Sequence, residues 1–253
     1  YPTGRFMLET ETLLVVAATF LLAGAVKGVI GLGLPSVSLG ILTAAIDLPT
    51  AMALLLVPSF VTNFWQGAVG GKFKQIVLRT WPFLLFAVVT IPIGALGLSR
   101  LDLNLLSGLL GLLLAIYGGL SLVGLRLSIS PLHERWVGPL FGAVNGALTG
   151  MTGSFVVPGV MFLQALGLPR DALVQAMGVL FTLSTIVLGI CLGNNNLLTL
   201  EQVWVSLGAV VPAILGMVLG QKLRDVLSEQ VFRHVFFSAL LILGAYIVFN
   251  ALT

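Results

Sequence analysis

Charged side chains are scarce in this chain. Twelve Lys and Arg and nine Asp and Glu make up 8 % of its 253 residues, against about 25 % in a typical soluble domain. A soluble globule of this size cannot cover itself with so few charges. Cytosolic enzymes, nucleic-acid-binding domains and disordered chains are excluded on that ground. The pI near 9.4 does not point to nucleic acid, because the few basic residues sort to one set of loops. Cysteine is limited to Cys191 in an apolar run, so a single chain forms no disulfide, dithiol or Cys-based metal site. A small apolar filler is the plain reading of that residue. His133 and His234 are far apart and border charged loops, a poor setting for a metal pair or a catalytic dyad. No cofactor and no metal are expected, and an integral membrane enzyme lacks a nucleophile with a base.

Apolar residues are what the chain has in abundance, at 58 % with a mean hydropathy of +1.12. The expectation is an all-α polytopic membrane protein, with lipid as solvent and partner. Met7 is the natural initiator, so residues 1–6 are expected to precede the native start. Glu9 and Glu11 precede the first apolar run, which is the wrong charge for a signal peptide. That run is expected to be retained.

Hydropathy marks three spans in each half: 50–70, 81–98 and 103–124, then 172–192, 203–220 and 231–251. Each approaches the ~20 residues that cross a hydrocarbon core as a helix. Pro58, Pro82, Pro92 and Pro212 lie within or near them and are expected to kink these helices. Each half also opens on a longer apolar stretch with a glycine-rich interruption. Residues 12–46 are broken by Lys27-Gly28-Val29-Ile30-Gly31-Leu32-Gly33-Leu34-Pro35. Residues 138–167 are broken by Asn145-Gly146-Ala147-Leu148-Thr149-Gly150-Met151-Thr152-Gly153-Ser154. Glycine frees the backbone and proline removes a donor, so each stretch reads as a broken, re-entrant or V-shaped helical hairpin.

The halves correspond. Lys27-Gly28 matches Asn145-Gly146, Leu48-Pro49 matches Leu168-Pro169, and Gly94-x6-Leu101 matches Gly216-x6-Leu223. Chance similarity between glycine-rich segments is the alternative to a duplication, and the collinear order favours the duplication. Orientation follows from the Lys/Arg loop bias. With 71–80 cytoplasmic and a hairpin plus three crossings per half, Lys72, Lys74, Arg79, Arg126, Arg135, Arg170, Lys222, Arg224 and Arg233 fall inside. Only Arg5 and Arg100 fall outside. The odd number of crossings makes the repeats inverted: 7–125 first, 126–137 a cytoplasmic linker, 138–253 second. Both termini are then extracytoplasmic.

Inverted repeats with broken helices are a transporter architecture, with the solute bound where the breaks expose backbone polar groups. Lys27 is the only basic residue well inside an apolar stretch. Placing an unpaired ammonium there costs about 2.5–3.5 kcal/mol, and no Asp or Glu is near it in sequence. A bound anion would offset that cost; the alternative is that Lys27 snorkels to an interface. Gly31 and Gly33 in the first break, Ser36 just after it, and Thr149, Thr152, Gly153 and Ser154 in the second supply backbone N–H groups and hydroxyls for an oxyanion. For any one hydroxyl the alternative is a cap or a bond to an i−4 carbonyl. Asn145 adds an uncharged amide donor opposite Lys27. Asn63, Gln66 and Gln175 are further candidates for the same cavity.

At these residues the sequence resembles the TauE/SafE family of sulfite exporters and organosulfonate permeases. The likeness rests on Lys27-Gly28-x2-Gly31-x-Gly33-x-Pro35 and on Asn145-Gly146-x3-Gly150-x2-Gly153. The second copy departs from the first, with Phe155 after Ser154 and proline only at Pro158. The resemblance implies a multi-pass carrier of the bacterial inner (plasma) membrane for small sulfur-containing anions such as sulfite, sulfoacetate or another sulfonate. The expectation is export by alternating access at a mid-membrane site between broken helices. Alternatives are a permease for another small organic or inorganic anion, or an anion channel. A homodimer is an open possibility.

Overall fold

The computed structural model describes residues 9–125, 128–224, 226 and 228–253. Arg5, Met7, Arg126 and Asp225 lie outside the described residues. Eleven helices form, and no strand occurs among the described residues: α1 Thr10–Ile30, α2 Leu34–Ala45, α3 Leu48–Ala68, α4 Phe73–Val89, α5 Ile91–Arg100, α6 Leu103–Val123, α7 Glu134–Thr152, α8 Gly159–Ala165, α9 Arg170–Asn194, α10 Leu200–Arg224 and α11 Glu229–Leu252. Seven helical stretches are long and apolar enough to cross a membrane, α4 and α5 together counting as one. All six expected spans are among them.

The seventh is α1, which has 21 residues and so reaches about 31 Å at 1.5 Å per residue. The first hairpin is therefore one full-length arm and one half-length arm, α2. Its turn is set by Gly31 at φ 80° and Gly33 at φ 107°, values that a side chain disfavours. Pro35 sits in the first turn of α2, where its missing N–H costs nothing. The second break differs. Gly153, at φ 71°, closes α7, residues 153–158 are non-helical, and α8 has only seven residues. Phe155 and Pro158 replace the early proline that starts α2.

Pro58, Pro82 and Pro212 lie inside α3, α4 and α10, which run on past them. Pro92 stands at the start of α5 and splits the third crossing near Thr90. Thr90 Oγ1 donates to Phe86 O and lies 2.9 Å from Ala143 O on α7. Pro58 removes the N–H that Leu54 O would accept inside α3. Ser206 of α10 fills that gap, its hydroxyl donating to Leu54 O at 2.8 Å.

Lipid tails are as apolar as leucine, so helices in a bilayer associate through close packing. Small residues carry it here. A methyl on Gly24 or Gly28 would land on the carbonyls of Ala213 or Met217, and one on Gly216 or Gly220 would land on those of Leu21 or Ala25. Residue numbers rise together across this seam, so α1 and α10 are parallel. Gly142, Gly146 and Gly150 meet Phe83, Ala87 and Ile91 in the same way, so α7 is parallel to α4–α5. In contrast, α3 and α9 are antiparallel, Gly67 meeting Gly178 and Ser59 meeting Thr185. The same holds for α6 and α11, with Gly111 on Gly244 and Gly118 on Phe237.

Tertiary contacts bring the basic helix ends together. Arg79 makes a two-pronged contact with Glu134, 2.9 Å and 2.6 Å, and also donates to Leu166 O at 3.0 Å. That joins the starts of α4 and α7 to the end of α8. The Lys72 backbone N–H donates to Gln175 near the start of α9. Lys222 and Arg224 close α10 beside the end of α1. One end of the bundle thus carries Lys72, Lys74, Arg79, Arg135, Arg170, Lys222, Arg224 and Arg233, while Arg100 sits at the other.

Candidate functional site

Lys27 lies in the last turn of α1, where a cation also meets the negative end of the helix dipole. Its neighbour Gly28 allows the chain to press against Met217–Gln221. This backing turns the lysine inward, and it is only 4 % exposed. Expectation placed the ammonium at mid-membrane. Its Cα lies in the last turn of α1, which is a full crossing and not a half-helix.

The ammonium meets only neutral acceptors. Nζ donates to Thr62 Oγ1 at 3.1 Å and to Asn63 Oδ1, both on α3. Thr62 sends its own hydroxyl proton to Pro58 O at 2.8 Å, which leaves its lone pairs for the lysine. Asn63 Nδ2 donates to Ser59 Oγ at 2.8 Å, and Ser59 lies 3.2 Å from Thr185 Oγ1 on α9. All of these side chains are buried. The chain of hydrogen bonds fixes the Asn63 amide with its oxygen toward the cation. Among the described residues Arg79–Glu134 forms an ion pair and Lys27 has no carboxylate partner. Its hydrogen bonds are satisfied in part, but its charge is not neutralised. An unneutralised buried charge is what attracts a counter-ion.

The second group of predicted residues gathers at the α7–α8 break. Asn145 Oδ1 accepts from the Gly159 N–H at 2.9 Å. Thr149 Oγ1 donates to Ser154 O at 2.9 Å, and Thr152 Oγ1 donates to Leu148 O at 2.7 Å. These two hydroxyls are committed to the backbone and hold the non-helical segment. Asn145 Nδ2, Ser154 Oγ and, in the first hairpin, Ser36 Oγ are buried without a partner. These three polar atoms have no protein partner. Ser38 instead bonds Leu34 O at 2.7 Å. Gly31, Gly33 and Gly153 serve as turn residues with positive φ. No hydrogen bond joins Lys27 to Asn145.

Gln66 and Gln175 take a different place. Gln66 Nε2 donates to Val174 O at 2.7 Å, and Gln175 Nε2 donates to Gly67 O at 3.0 Å. Both clamp α3 to α9 near the basic end. Asn63, ranked beside them in the sequence, is the residue that touches Lys27. Ser59, Thr62 and Thr185 join the network without being candidates from the sequence. Their signal was present, since Ser59, Thr62, Asn63 and Gln66 recur at helical three- and four-residue spacing along an apolar span. Groups of three or more His, Cys, Asp or Glu placed to hold a metal do not occur among the described residues.

A family model described as Sulfite exporter TauE/SafE matches residues 16–247. The chain matches no curated protein and no solved structure.

Proposed function

The chain belongs to the TauE/SafE family of sulfite exporters, a family of membrane transporters and not of enzymes, and from that premise we propose that it moves small sulfur-containing anions, sulfite or an organosulfonate, through a site built on Lys27. The observation that carries this reading is the Lys27 ammonium, buried among Thr62 and Asn63 with no carboxylate against it. A mono- or divalent oxyanion fits the need for charge. The unpartnered donors of Asn145, Ser154 and Ser36 supply the hydrogen bonds that a sulfo group accepts.

The two halves act as inverted repeats. What supports this is the exchange of partners: α1 of the first half packs on α10 of the second, and α7 of the second packs on α4–α5 of the first, both in parallel. In this pairing Ala87 corresponds to Met217, because each meets the matched glycines Gly146 and Gly28. The equivalence of Gly94 with Gly216 read from the sequence is out of step with that packing. The basic end faces the cytoplasm of a bacterial cell by the positive-inside rule. An anion leaving a cell that is negative inside then gains ~2.3 kcal/mol per charge per 100 mV, so export needs no carboxylate relay. Alternating access follows if α1–α2 and α7–α8 rock against the α3–α9 pair.

The test is sulfite efflux from proteoliposomes. Wild type is expected to give saturable efflux that an inside-negative potential accelerates. Lys27→Met is expected to lose it while keeping its thermal unfolding midpoint. Equal efflux from Lys27→Met rules out the assignment.

A further inference from the structure

A second cavity, of about 530 Å³, opens at the basic end between the ends of α6 and α8 and the starts of α9 and α11. Polar side chains line part of it. Ser121 of α6, Ser128 of the linker, Gln164 of α8 and Arg233 of α11 contribute, and no carboxylate lines it among the described residues. Its floor is Tyr117, which is 1 % exposed, with a hydroxyl that has no hydrogen-bond partner. Burying a phenol with its O–H unmet is unfavourable unless a guest completes it.

Arg233 is held for such a guest. Its guanidinium carbon lies over the Phe237 ring, 5.7 Å from the centroid, and Phe237 meets the Tyr117 ring edge-on at 5.3 Å. Among the described residues no ion pair engages the Arg233 guanidinium, and its N–H groups suit a phosphate or sulfo group. The same aromatic layer reaches the first break. Phe236 packs on Phe237 at 4.9 Å and presses against Gly33.

We propose that Tyr117, Arg233, Gln164, Ser121 and Ser128 form a second anion-binding site at the basic end, separated from the α1–α2 break by Phe236 and Phe237. It takes a singly capped oxyanion, a free sulfo anion or the phosphate of an anionic lipid headgroup. The site does not depend on Lys27 being a transport site. It is lined by different residues and stands if that reading fails.

The experiment uses purified full-length protein in neutral detergent. The thermal midpoint is measured against sulfite and, separately, against dioleoyl-phosphatidylglycerol, for wild type, Arg233→Gln, Tyr117→Phe and Lys27→Met. The expected result is a threefold or greater rise in the half-saturating concentration of at least one probe in both Arg233→Gln and Tyr117→Phe. A rise for sulfite assigns a free anion, and a rise for the lipid alone assigns a headgroup. Tyr117→Phe removes only the hydroxyl, so it keeps the test valid if Arg233→Gln folds poorly. Loss of response in Lys27→Met with full response in Arg233→Gln and Tyr117→Phe overturns this site and leaves the central one. Loss in Arg233→Gln and Tyr117→Phe with full response in Lys27→Met does the reverse. Responses equal in all four proteins overturn both.

Discussion

At the scale of single residues, what matters is whether the charge of Lys27 is used or merely tolerated. Asn63→Asp separates the two, because it keeps the shape of the side chain and adds a fixed carboxylate beside the ammonium. The Ser59 hydroxyl can turn to donate to the new oxygen, so the network stays satisfied. A resident counter-ion then occupies the role proposed for the guest. The resting thermal midpoint is expected to stay within a few degrees, since about 1 kcal/mol moves a domain of this size by roughly 2–4 °C. The sulfite-dependent rise in midpoint is expected to shrink to the response left in Lys27→Met, which a thermal titration in detergent checks. Asn63→Leu, by contrast, leaves Lys27 short of an acceptor and is expected to cost about 1–3 kcal/mol, read as a lower midpoint. Lys27 was legible in the sequence because a cation in an apolar run is conspicuous. Its partners were not, because Ser, Thr and Asn on a span usually bond their own backbone. Thr152 and Thr62 both do that, bonding Leu148 O and Pro58 O; a sequence cannot show that Thr62 also accepts from Lys27.

At the scale of helices, the packing rests on glycines that differ in what surrounds them. Gly146→Ala would drive a methyl into the Ala87 carbonyl and the Thr90 hydroxyl, and the Thr90 contact to Ala143 across the α4–α5 break goes with it. Overpacking of this kind costs about 1–3 kcal/mol, and the midpoint is expected to fall accordingly. Gly208 lies in α10 with nothing near the added methyl. Gly208→Ala is therefore expected to raise the midpoint slightly, by the ~1 kcal/mol that separates the two residues in a helix. A third variant, Ser206→Ala, strips the donor from the Leu54 carbonyl that Pro58 exposes and is expected to cost about 1 kcal/mol. Thermal unfolding of the three side by side tests the order. The existence of nearly every helix was readable, because a run of apolar residues has one use in lipid. The glycine interruptions were readable too. The length of α1 was not: Lys27 and Gly28 read as the start of a break, whereas the helix runs on to Ile30 and turns at Gly31. Likewise Gly24, Gly28, Gly142 and Gly146 are seam residues first, and their four-residue spacing was the sign.

At the scale of the whole molecule, the exchange of partners between halves fixes which helix ends share a face. Lys74 opens α4 and Lys222 closes α10; they belong to different halves and to crossings of opposite direction. If the halves are inverted, both face the cytoplasm. If they are not, a duplicated unit of the same orientation places them on opposite sides. Asn104 at the start of α6 and Asn196 after α9 face the opposite side in the inverted arrangement. All four are exposed, and Cys191 is the chain's single cysteine, so a Cys191→Ser background gives a clean probe. In intact cells a membrane-impermeant maleimide is expected to label Asn104→Cys and Asn196→Cys at once. Lys74→Cys and Lys222→Cys are expected to react only after the membrane is opened. The pairing of α1 with α10 and α7 with α4–α5 then links two like-directed helices across the halves, and motion of either hairpin carries the crossing it packs on. Labelling of Lys74→Cys and Lys222→Cys from opposite sides would break that link, and alternating access between mirror-related halves would fail with it.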